Sequence, residues 1–154
     1  MIFFLKIEVE SGNCFENIYN LTATKNYKTM IITIPETPDN VAAFKATGDI
    51  TKQDFENCVI PQIKAKVNQF NELNCLLLLE TDLENFTFEA WIQDALLGLK
   101  NLTKWNRIAI VTDNKSLRNY ITVFSVFIPG EYSTYPTEDL ANALFWCENG
   151  NEQN

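Results

Sequence analysis

Glu80, Asp82 and Glu84 alternate along the segment ETDLENFT, and three carboxylates so spaced could hold a cation. The segment lacks the turn glycine and the distal bidentate glutamate of a calcium loop. A solvated acidic lip is therefore the better reading of these residues. The four cysteines, Cys14, Cys58, Cys75 and Cys147, form no C-x-x-C pair and no metal-ligand spacing. The chain has no histidine, which excludes a Ser-His-Asp or Cys-His nucleophile and any His-ligated metal. No pair of titratable groups is placed by motif for acid–base work, so the expectation is a protein that is not an enzyme and that carries no cofactor or metal.

The cations offer little more. Net charge is −8, and a duplex nucleic-acid partner needs a dense basic face that this composition does not provide. Lys100, Lys104, Arg107, Lys115 and Arg118 are five of the twelve basic residues. The first three precede or open one expected strand and the last two follow it, so a span of roughly 20 Å divides them. Lys100 and Lys104 suit the negative end of a helix.

The unusual chemistry is apolar. The stretch ITVFSVFIPGEY (121–132) places Ile121, Val123, Phe124, Val126, Phe127 and Ile128 before a Pro-Gly break. The segment 88–103 contributes Phe88, Trp91, Ile92, Ala95, Leu96, Leu97, Leu99 and Leu102. A helix resting on a sheet needs one apolar stripe, and both segments exceed that. The surplus has to meet the other segment, a ligand, a partner or lipid.

The elements that would position these residues are legible from periodicity. Residues 2–9 alternate as a strand, with SGN as a turn. Strands are expected in TMIITIPE and VAAFKATGDI, paired as a hairpin, then in CLLLLE (75–80), RIAIVTD (107–113) and EYSTYP. The continuous apolar runs suit parallel strands covered on both faces. Thr51 and Asp54 form an approximate capping box opening a helix on which Phe55, Val59, Ile63, Val67 and Phe70 recur, with Pro61 expected to kink it. Thr87 can cap the helix 88–103. A helix from about 115 runs to the Pro129-Gly130 break, and Thr137 is expected to cap the last helix. The order from residue 29 is β-β-α-β-α-β-α-β-α: an α/β fold with a largely parallel sheet, an N-terminal antiparallel hairpin and about four helices. Cys58 and Cys75 fall at apolar positions and read as buried thiols, which fits a reduced cytoplasmic setting. MIFFLKIEVE is interrupted by charge too early for a signal segment, and no run reaches membrane-spanning length.

In this order, GDITKQDFENCVIPQI (48–63), LLLLETDLENFTFEAWIQDALLGLK (76–100), RIAIVTDNKSL (107–117), FIPGEY and ALFWCEN together resemble the SpoIIAA-like branch of the STAS superfamily. That branch is also similar to the CRAL-TRIO lipid-binding domains. The resemblance covers about residues 29–149, leaving 1–28 as an N-terminal extension with an extra strand and 150–154 as a polar tail. It implies a STAS-like fold and no enzymatic activity. It further implies a domain in the bacterial cytoplasm that holds an apolar small molecule or lipid and touches the inner membrane face through mobile helices. Two positions depart from the branch: Ser133 replaces a basic residue often found after PGE-x, and no histidine lies near Asn101. Both argue against a specific anionic ligand.

Combining the apolar surplus with this resemblance gives a candidate ligand- or membrane-binding set of Trp91, Leu97, Tyr120, Phe124, Phe127 and Ile128. The competing function is a STAS-type protein-interaction regulator, similar to an anti-sigma factor antagonist. In such antagonists a serine opening the helix after the third strand is phosphorylated; here the nearest hydroxyl is Thr87, set among Glu80, Asp82, Glu84 and Glu89. Those carboxylates disfavour added negative charge, so a helix cap is the expected role of Thr87. A homodimer is a third way to cover the apolar surplus.

Overall fold

The computed structural model describes residues 31–48, 50–80, 104–124 and 130–151, without the side chains of Lys52, Tyr120, Val123 and Phe124. The expected strand at 2–9, Cys14, Thr87 and the helix 88–103 lie outside the described residues.

β-branched residues build the first strand, and a mostly buried run of small and apolar residues the second. β1 (Ile31–Thr33) pairs antiparallel with β2 (Val41–Thr47), placing Ile31 opposite Ala46 and Thr33 opposite Phe44. β2 stops at Thr47 because Gly48 turns into the left-handed region at φ 64. β3 (Leu73–Glu80), β4 (Trp105–Val111) and β5 (Glu131–Tyr135) then add in parallel, giving a five-stranded mixed sheet in the order β1-β2-β3-β4-β5. β3 and β4 each begin two residues earlier than their apolar runs suggest.

The helix between β2 and β3, α1, opens as Lys52–Asp54, widens to a π turn over Phe55–Val59 and continues as Ile60–Phe70. Pro61 accounts for the widening. It has no N–H, and its ring crowds the carbonyl of the preceding turn. The ladder instead closes through the Ile60 N–H on the Phe55 carbonyl, five residues back. The expected kink thus takes the form of a π segment, a known way for a helix to absorb such a defect. α1 ends at Asn71, whose left-handed φ of 57 lets its N–H return to Val67 O. α2 (Lys115–Phe124) follows β4 and α3 (Leu140–Asn149) follows β5.

Side chains on a strand alternate between faces, which gives two cores. On one face Phe44, Cys75, Leu79, Ile108 and Ile110 cluster with Phe55, Cys58, Ile63 and Val67 of α1 and with Leu117 and Ile121 of α2. On the other face Val41, Ala43, Leu76, Leu78, Ala109 and Val111 cluster with Ala143 and Cys147 of α3. The topology explains this division. Right-handed crossovers between parallel strands added in one direction put their helices on one face. The opposite face is then left to the helix that comes after the last strand.

Candidate functional site

In open α/β sheets, binding crevices form outside the carboxyl ends of the parallel strands. Here side chains tie down the backbone that follows β2, β4 and β5, and an ion pair joins the end of β3 to β2. After β2, Thr51 and Asp54 form the expected capping box. The Asp54 N–H donates to Thr51 Oγ1 (3.1 Å), and the Thr51 N–H and hydroxyl donate to Asp54 Oδ2 (3.0 and 2.7 Å). At the end of β3, Glu80 pairs with Lys45 of β2 at 2.9 Å, both partly exposed.

After β4, Thr112 is buried, its N–H donating to Tyr135 O (2.9 Å) and its Oγ1 accepting from the Asn114 N–H (3.3 Å). Asn114 Oδ1 in turn accepts from the Leu117 N–H at 3.0 Å and so caps α2. The Thr137 N–H donates to Asp113 Oδ1 at 2.8 Å. This corrects the expected role of Thr137, which lies in a 3-10 turn (Thr137–Asp139) ahead of α3 rather than capping it. The turn follows Pro136 and is fixed from outside, by Asp113. Most of these groups orient backbone, and among the described side chains the rim carries Asp54, Glu80, Asp113, Glu138 and Asp139 against Lys45, Lys115 and Arg118.

Of the sequence-derived set, Trp91, Leu97, Phe127 and Ile128 lie outside the described residues. Tyr120 and Phe124 lie on α2, with their side chains outside the described part. No side chain of the set thus falls within the described part. What the structure shows is how α2 is anchored: Leu117 and Ile121, one turn apart, are both fully buried against the sheet. Gly130, part of the expected Pro-Gly break, has a packing requirement of its own. Its φ is 93, and a Cβ there would lie 2.7 Å from Asn106 O.

The opposite end of the sheet holds a polar group that periodicity did not flag. Asn74, fully buried, donates to Glu72 Oε1 (3.0 Å) and Asn40 O (3.3 Å) and accepts from Asn106 Nδ2 (2.9 Å), which also donates to Glu72 Oε2 (3.3 Å). Arg107 Nε donates to Cys147 O (2.9 Å) and Nη2 to Glu148 O (3.0 Å). The guanidinium thus caps the carbonyl end of α3, where cations are favoured. Periodicity could not flag these contacts, because Asn40, Asn74 and Asn106 are scattered along the chain and Arg107 lies 40 and 41 residues from its acceptors.

Three thiols are shielded by their surroundings. Cys58, Cys75 and Cys147 form no disulfide and are buried, as expected for Cys58 and Cys75. Burial pushes the Cys75 thiol far up, aided by neighbouring Cys147. Burial pushes Cys147 up to about 12, against smaller opposing effects from a hydrogen bond to the Ala109 backbone and from Arg107. The Cys147 thiol donates to Cys75 O at 3.3 Å, yet the two side chains belong to cores on opposite faces of the sheet. A disulfide between them would have to cross the sheet. Among the described residues, no group of three or more Cys, Asp or Glu could hold a metal, and no helix is long and apolar enough to cross a membrane.

The SpoIIAA-like family matches residues 41–148, from the first residue of β2 almost to the end of α3. The chain belongs to the SpoIIAA-like family. The sheet order, the antiparallel β1-β2 pair and the parallel remainder are those expected of a STAS-like fold. No curated protein and no solved structure matches the chain. The Lys45–Glu80 pair, Thr112, Asp113 and Asn114 all fall within the SpoIIAA-like match.

Proposed function

We propose that this SpoIIAA-like protein is a non-enzymatic regulator that works by binding another protein at the carboxyl-end rim of its sheet. The observation carrying this reading is the family match, which spans the rim from β2 to β5. The rim supports it in two ways. Its backbone is held by caps, so binding costs little reordering. Its charge is mainly acidic, which suits a partner with a basic surface and an association that weakens with salt. The three buried thiols suit a reduced cytoplasm.

The test is affinity capture from the native host's soluble extract with wild type, Glu138→Lys at the rim and Glu131→Lys at the other end of β5. Both positions are exposed. A partner retained by wild type and Glu131→Lys but lost by Glu138→Lys supports the proposal. Equal capture by all three, at low and high salt, overturns it.

A second reading, an apolar-ligand or lipid module with weak contact at a membrane surface, rests on the apolar content of the segments 88–103 and 115–128. In the sequence, aromatic residues at 120, 124 and 127 accompany the buried Leu117 and Ile121. Native mass spectrometry of protein from its own host, together with co-flotation on neutral and anionic liposomes, separates the two readings. A retained lipid that Phe124→Asp abolishes without lowering the melting temperature would favour the second.

A further inference from the structure

We draw no further inference here: the strongest candidate, the flank of the sheet beside α3 where Ile32 is exposed and Ile34 and Leu144 are half-buried, carries no proposal because nothing in the structure shows what covers it.

Discussion

Replacing Arg107 by alanine should loosen α3 before it unfolds anything else. α3 contributes Ala143 and Cys147 to the core of its sheet face, flanked by its half-buried Leu140, Leu144 and Trp146. Its carbonyl end is held by two hydrogen bonds from the Arg107 guanidinium, at 2.9 and 3.0 Å. A hydrogen bond from a charged donor is worth about 1.5–3 kcal/mol when desolvated, but the site is only half-buried and the bond to Glu148 O is exposed. Glu148 O also keeps the Asn40 amide at 3.3 Å. The expected loss is therefore about 2 kcal/mol, part of it from the lost packing of the arginine stem. For a domain of this size that lowers the melting temperature by about 4–8 °C.

Arg107→Lys keeps the charge but cannot match both carbonyls from one fork, so its loss should be roughly half as large. Thermal melts followed by far-UV circular dichroism give the global figure. Near-UV signals report α3 itself, because Trp146 on that helix meets Tyr135 at 6.3 Å between ring centroids. If Arg107→Ala melts within about 1 °C of wild type with an unchanged near-UV spectrum, the clamp is not what seats α3.

Removing the capping-box carboxylate by Asp54→Ala should cost about 1 kcal/mol, seen as a lower urea midpoint at constant slope. Gly130→Ala should cost more than about 1 kcal/mol, since it forces a Cβ into a left-handed site 2.7 Å from Asn106 O; an unshifted midpoint would mean that this backbone relaxes freely. The cysteine shifts predict alkaline sensitivity. Folded Cys147 holds its proton up to about 12, whereas the unfolded thiol releases it near 9.0. Above about pH 9 the unfolded chain thus binds fewer protons, and stability falls with rising pH by up to about 1.4 kcal/mol per unit for each such thiol. Cys147→Ala should flatten that decline, and an unchanged profile would contradict the burial argument. Native labelling of Cys58, Cys75 and Cys147 at neutral pH should be slow, with rapid labelling of all three as the opposing result.

Local signals carried most of the architecture. The continuous apolar run Cys75–Leu79 gave away a strand because its length and flanks suit one covered on both faces, and Thr51 with Asp54 announced a helix start because both partners of that cap lie within one turn. Asn71 at the end of α1 and Gly48 after β2 are likewise residues whose backbone preferences act where they stand. The family match at 41–148 fits this: it rests on the same β/α order. The candidate site was less legible. Its residues were chosen by apolar surplus, and surplus is a property of what a helix does not touch, which one segment's periodicity cannot supply.

Among the described residues, what the sequence alone determined is therefore the elements from β1 to α3 and their order, the antiparallel hairpin and the burial of Cys58 and Cys75, since each depends on contacts within a few residues or on hydrophobicity. What only the tertiary structure decided depends on partners far apart in the chain: that α1 and α2 share one sheet face while α3 seals the other, that Pro61 is absorbed by a π turn, that Asp113 rather than Thr137 organises the approach to the last helix, and that Arg107 holds that helix's far end. A side chain's hydrogen-bond capacity is written in its type, but which of many acceptors it meets is set by the packing of the sheet between them.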